Sequence, residues 1–444
     1  MSANTTQLKK VLKPIHLWAI AVALVISGEY FGWNYGWKAA GTIGFLIATI
    51  VVTILYITFI FSYTELTTAI PHAGGAFAYA YKALGPIGGL IAGYATVIDF
   101  VLATPAIASS LGAYLHFLYP DLPVLAVAFG FYIIFTILNI VGVKESAVFS
   151  VVITILAIAE LLLFMGIIAP HYKSANFMHD GLPFGWKGIF AGLPFAVWFY
   201  LAIEGVAMTA EEVKYPKRDI PKGYIAGMAT LVFLALGVSI LTGGITDWHK
   251  LSDIDYPLPE AIGMVLGKSS GLTKLFTGIG LFGLIASFHG TVLAYSRQIF
   301  AIARSGYLPK FLASINPRFK TPHWATLTGS LVGCIVLYCL QKTDAIIILS
   351  VLGALLMYIM SMLSLFLLRK KRPDMERPFT SPFYPVFPAV ALLLSAVCLG
   401  AIVYYNFWLA MWFFAGLLLV LGAYVVSGKY KQPIPDDMLT ETLA

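Results

Sequence analysis

SGEYFGWNYG, residues 27–36, interrupts what would otherwise be the first uniform apolar helix of the chain. It puts one carboxylate, three glycines and four aromatics at membrane depth. Glycine tolerates the dihedrals of an unwound turn, and Glu29 sits among rings that can face a cation, so the stretch reads as a binding site inside a bilayer. A second interruption, WFYLAIEGVAMT at 198–209, again carries a lone glutamate, Glu204, beside Gly205 and aromatics. Two broken helices at corresponding places in two halves of a chain point to a transporter with its substrate site at the midplane.

Composition supports the membrane setting. Hydrophobic residues make up 59% of the 444 and charged residues 11%, whereas soluble domains carry about 25% charged residues. Apolar runs of about 20 residues recur between short polar loops, too long and continuous for barrel strands, so the chain reads as one all-α bundle of about twelve spans. Cys334, Cys339 and Cys398 fall inside apolar runs and read as small core residues, with no disulfide framework or metal site. No cofactor is expected, and the positive net charge of +7 does not imply nucleic acid.

In order, the expected spans are 15–37, 42–69, a third from Gly85-Pro86 to 117, then 122–141, 146–168, 189–210, 224–245, 272–303, 324–340, 345–368, 385–405 and 407–426. EEVKYPKRDIPKG (211–223) reads as a charged turn, 259–266 as an amphipathic piece, and the tail after Lys431 as disordered. Alternate loops then place 21 of the 28 lysines and arginines on the side of the N-terminus. By the positive-inside rule both termini are cytoplasmic, in a multi-pass protein of the cell (plasma or inner) membrane.

No lysine or arginine is left for the bilayer interior, yet Glu29, Glu65, Asp99, Glu160 and Glu204 lie within spans or at their ends. An ionised carboxylate at a helix centre costs on the order of 2.5–3.5 kcal/mol. Either protons or a cationic substrate must neutralise these groups. Glu65, near a cytoplasmic end, reads as structural, pairing with a loop lysine. Asp99 and Glu160 read equally as proton relays or hydrogen-bonded interior contacts, and His289 as a proton carrier or a buried neutral imidazole.

SYTELTTAIPHAGGAFAYAYKALGP (62–86), EEVKYPKRDIPKG (211–223), SRQIFAIARSGYLPKFLASINPRFKTPHWA (296–325) and RKKRPDMERPFTSPFYPVFP (369–388) resemble the amino acid–polyamine–organocation superfamily of transporters. Within it the chain is most similar to the ethanolamine permeases, chiefly through SGEYFGWNYGW (27–37). The resemblance implies a five-plus-five inverted repeat (the LeuT-like fold), residues 15–170 and 171–370, with helices 1 and 6 unwound. Residues 371–428 would then form two peripheral helices, with a cytoplasmic arm at 1–14 and a tail at 429–444. It also implies that Gly32-Trp33-Asn34 stand where amino-acid-transporting relatives carry Gly-Ser/Thr-Gly to hold a substrate carboxylate, so that Glu29 offers an ammonium acceptor instead. Trp198 falls at an aromatic gate, Glu204 at an acid-responsive glutamate, and the helix 5 lysine of proton-coupled relatives has no counterpart here.

The expectation is a proton-coupled importer of a small primary-amine cation, ethanolamine, working by alternating access. Its substrate site would be drawn from Ser27, Glu29, Tyr30, Gly32, Trp33, Trp198, Phe199, Ile203, Glu204 and Gly205. Glu29, Asp99, Glu160, Glu204 and His289 are the proton-coupling candidates. The alternative is an amino-acid permease or an amino acid/polyamine exchanger. An intramembrane enzyme would need a nucleophile–base pair or metal cluster, and HExxH is absent from the sequence. A channel suits two broken helices less well than alternating access.

Overall fold

A backbone crossing lipid must bond its own polar groups, and these apolar runs do so as helices. The computed structural model describes residues 10–142 and 147–428. Lys9, Lys144, Lys429, Lys431 and the expected disordered tail lie outside them.

Helix α1 (Pro14–Val25) starts on a proline, whose missing N–H would have had no intrahelical partner. A single helical turn, α2 (Ser27–Tyr30), follows Ile26, and residues 31–34 form turns before α3 (Tyr35–Ala69). The first interruption is therefore two short breaks around a helical turn. Inside α3 the chain reverses at Gly41, with φ +71°. A Cβ there would stand 2.5 Å from Pro183 Cδ and 2.6 Å from the Gly181 carbonyl oxygen, so both dihedral and space demand glycine. Residues 35–40 thus complete the first span and 42–69 form the second.

The remaining helices are α4 (Ala76–Leu118), bent at Gly85, α5 (Val124–Val141), α6 (Ala147–Ile168), α7 (Ser174–Met178) and α8 (Gly185–Trp198). A 3-10 segment (Ile203–Glu212) precedes α9 (Pro216–Gly243), α10 (Pro257–Leu266), α11 (Gly271–Arg304), α12 (His323–Leu340), α13 (Thr343–Lys371), α14 (Val386–Tyr405) and α15 (Phe407–Val426). Among the described residues eleven stretches are long and apolar enough to cross a membrane. The broken α1–α2 unit with residues 35–40 supplies the twelfth, in keeping with an all-α bundle of about twelve spans.

Three boundaries differ from expectation. The third span does not start at Gly85-Pro86: α4 is already helical from Ala76 and bends at Gly85. The charged run at 211–223 is not wholly a turn, because Pro216 takes the first helical position and α9 begins there. The second half of the sixth span is 3-10 helix, entered through Ala202 at φ +77°.

In the interior α13 lies along α4 and α3 along α8, with the broken segments between them. Outward faces carry exposed Ile133, Leu163, Leu331, Leu393 and Leu419, the apolar surface that lipid requires. On the side assigned to the cytoplasm, Leu12 bridges to Val213 in the one β-type contact among the described residues. Where a loop lysine was expected, the described residues pair Glu65 with arginine. α13 ends beside α3, and Arg369 donates to both carboxylate oxygens of Glu65 (2.8 and 2.6 Å), with Arg377 Nε at 3.3 Å.

Candidate functional site

The two breaks meet backbone to backbone. A Cβ on Gly28 would lie 2.5 Å from the Trp198 carbonyl oxygen and 3.2 Å from Phe199 Cα, so only glycine allows this approach. Carbonyls released by unwinding are taken up locally, as buried polar groups must be. Ser287 of α11 donates to the Leu24 carbonyl (2.8 Å) and hydrogen-bonds Ser27 Oγ (2.8 Å). Trp33 Nε1 donates to the Glu29 carbonyl at 3.0 Å, and Trp198 Nε1 to the Phe31 carbonyl at 2.9 Å. Trp33 also stacks on Phe199, centroids 5.9 Å apart. The tryptophans therefore splice one break onto the other as well as offering ring faces.

Beside this splice is a cavity of about 10 Å³, bordered by Leu24, Val25, Ser27, Trp198, Ala202 and Thr291 among others. That is room for about one water, so the breaks are closed over the site. Ser27 and Trp198 of the expected set border it; Leu24, Val25 and Thr291 were not expected. Leu24 and Val25 adjoin the quoted run and were within reach of sequence reasoning. Thr291, on a distant helix, carried no local signal.

Glu29 is fully buried, and among the described residues neither of its carboxylate oxygens has a hydrogen-bond partner. Tyr30 bonds elsewhere: its hydroxyl donates to Glu160 Oε2 at 2.6 Å, while the other Glu160 oxygen has no partner among the described residues. Tyr114 OH caps the Tyr30 carbonyl at 3.1 Å. Glu204 accepts from Tyr358 OH at 3.1 Å, while its other oxygen has no partner among the described residues and Ile203 and Gly205 pack in the core beside it. His289 faces α5, its Nδ1 3.0 Å from Asn139 Nδ2.

Gly32, Trp33 and Asn34 face the opposite end of the membrane from Glu65. Asn34 Oδ1 accepts from the Gly32 N–H at 3.0 Å, and its Nδ2 donates to the Leu251 and Ile254 carbonyls at 2.7 and 2.8 Å. That loop is held further by Asp255, which accepts from Tyr35 OH at 2.6 Å and Thr343 Oγ1 at 2.8 Å. Burial pushes the Asp255 carboxyl above the usual carboxylate range, with the two hydroxyl donors opposing the shift. The Gly32 N–H is thus satisfied by the chain itself.

The family model described as amino acid permease matches residues 12–425, nearly the whole chain. The chain belongs to the amino acid permease family. It is 31% identical to an uncharacterised transporter of Rhizobium meliloti (strain 1021), over 89% of this chain and 87% of that protein. It is 27% identical to the branched-chain amino acid permease BcaP of Bacillus subtilis (strain 168), over 96% and 95%. With the methylthioribose transporter of the same organism it shares 28% identity over 76% of each chain. This permease is accordingly a multi-pass membrane transporter of a small molecule and not an enzyme.

Proposed function

We propose that this permease is a secondary active transporter that imports a small primary-amine cation, ethanolamine, together with protons by alternating access. The observation that carries the reading is Glu29, an enclosed carboxylate beside two helix breaks with no donor for either oxygen among the described residues. A buried acid in that condition is neutralised by a proton or an ammonium. In this reading the ammonium docks on Glu29, Trp198 and Trp33 close over it, and the hydroxyl bonds Ser27 or unwound backbone. Ser27 and Trp198 already border the small cavity, which widens when the breaks separate.

The five-plus-five division at 15–170 and 171–370 supplies the moving parts. It is supported by the order of elements: each break is followed by four long helices, α3 to α6 in one half and α9, α11, α12 and α13 in the other. The lysine and arginine bias supports cytoplasmic termini in the cell (inner) membrane.

A second reading, a permease for amino acids, is favoured by relatives such as a branched-chain amino acid permease and an aromatic amino acid transport protein. Against it stands Asn34, which occupies the Gly32 N–H. Uptake of labelled ethanolamine into proteoliposomes, challenged with L-serine, alanine, arginine and putrescine, separates the two. L-Serine is ethanolamine bearing a carboxylate, so indifference to serine supports the amine reading and strong competition overturns it. Glu29→Gln is expected to weaken uptake by about 2–5 kcal/mol of binding free energy, roughly thirtyfold or more. Normal uptake by that variant would sink the Glu29 assignment.

A further inference from the structure

Helix α2 is one turn of four residues, Ser27–Tyr30, and it carries Glu29. Nucleating a helical turn is unfavourable by itself, so a turn this short is held by what it packs against. Successive residues of a helix point about 100° apart, so whatever fixes the direction of Tyr30 also fixes that of Glu29. Three helices grip Tyr30.

The first hold comes from α6. The Tyr30 hydroxyl donates to Glu160 Oε2 at 2.6 Å, with the Ala157 carbonyl 3.3 Å away. The second comes from α4, where Tyr114 OH donates to the Tyr30 carbonyl at 3.1 Å and the two rings meet edge-on, centroids 6.4 Å apart. The third is a slot in α11. A Cβ on Gly283 would stand 2.7 Å from Tyr30 Cε2 and 2.8 Å from its hydroxyl oxygen. One on Gly280 would stand 2.8 Å from Glu160 Oε1 and 3.3 Å from Tyr30 Cε1. Ser287, one turn further along the same face of α11, hydrogen-bonds Ser27 at the start of α2 at 2.8 Å. Tyr30 and Tyr114 are 0% exposed and Glu160 3%, so the bond between the phenol and the carboxyl group is made without competing water.

We infer that Glu160 is a positioning residue for substrate binding: it holds the Tyr30 hydroxyl and, through α2, aims the Glu29 carboxylate at the substrate ammonium. This rests on the reading of Glu29 as the ammonium acceptor and deepens it. Tyr114 and the slot at Gly280 and Gly283 complete the seat. The work asked of residue 160 is to accept one hydrogen bond, which an amide oxygen also does.

The test measures KM for labelled ethanolamine uptake by the full chain in proteoliposomes, a quantity independent of how much protein is active. Tyr30→Phe keeps the ring in its slot and loses only the hydroxyl, so KM should rise roughly tenfold while kcat falls by less than about threefold. Glu160→Leu should match it, and the double variant should be no worse than either alone, since each removes the same bond. Glu160→Gln keeps an acceptor and should stay within about threefold of the wild-type KM. Gly283→Ala, which alters neither partner, should raise KM by crowding the ring out of its slot. If Tyr30→Phe does not reconstitute, the comparison of Leu with Gln at 160 carries the same test.

Additive losses in the double variant, or a Glu160→Gln that behaves like Glu160→Leu, overturn the positioning role. Glu29→Gln, run alongside, separates this inference from the reading beneath it. A raised KM there with an unmoved KM in Tyr30→Phe overturns the positioning role alone. An unmoved KM in Glu29→Gln, or no ethanolamine uptake by wild type, overturns the ammonium site and the positioning role together.

Discussion

Glu65 and Glu29 are two glutamates of nearly equal burial, 1% and 0% exposed, with opposite surroundings. Glu65 takes a two-pronged Arg369 contact, a second guanidinium from Arg377 and the Ser381 N–H at 2.7 Å. Arg369 in turn lies 3.7 Å over the Tyr384 ring. Every acceptor position of that carboxylate has a use, and it pins the 372–385 link to the end of α3. Glu29 has none of this among the described residues. Burial alone therefore says little about an intramembrane acid; what separates a structural one from a working one is whether the protein supplies its partners.

The largest effect expected from that contrast is on folding. Glu65→Gln leaves two arginines beside a neutral amide, and breaking a buried pair in this way costs about 3–5 kcal/mol. The thermal midpoint of the detergent-purified permease should drop sharply, and an unchanged midpoint would break the comparison at its structural end. Arg369→Lys should show a smaller loss of about 1–2 kcal/mol, because a point charge replaces the planar fork and its ring contact. Equal stability of Lys and Arg at 369 would mean that Arg377 and Ser381 suffice.

Glu29→Gln should barely alter the same midpoint, within about 1 kcal/mol and with a tendency upward, since it removes a buried acid that has no partner to lose. A large destabilisation there would make Glu29 another Glu65. The smallest effect concerns Asp255, in the loop that Asn34 reaches. Its carboxyl is enclosed although the residue keeps some exposure, and its raised pKa means that the folded state holds its proton more tightly than the unfolded state. Stability from this group therefore increases as pH falls through that raised pKa, towards the unfolded carboxylate value, and is lost as pH rises through the same window. Comparing midpoints across mildly acidic pH should show a slope in wild type that Asp255→Asn flattens; an equal slope in both assigns the titration elsewhere.

The class of the protein, its spans and the positions of both breaks were legible because lipid leaves a backbone few options. Lengths of apolar run, glycine at a reversal and charge between runs are local properties, and each has a direct structural meaning in a bilayer. Legibility ended at the partners. Nothing near Glu65 in the chain announces Arg369, and nothing near Glu204 announces Tyr358, since these pairs are made by helices that meet only after packing. The same holds for Thr291 at the cavity and for Asn34 reaching a loop more than two hundred residues downstream.

Local chemistry thus established that acids would stand inside the membrane, where the helices would break and which family the chain resembles. Assembly of the bundle settled which acid is neutralised by arginine, which accepts from a tyrosine and which lacks a donor among the described residues. The reason is physical: desolvation is set by depth and can be read from a run of residues, whereas compensation depends on the positions of specific atoms contributed by separate helices.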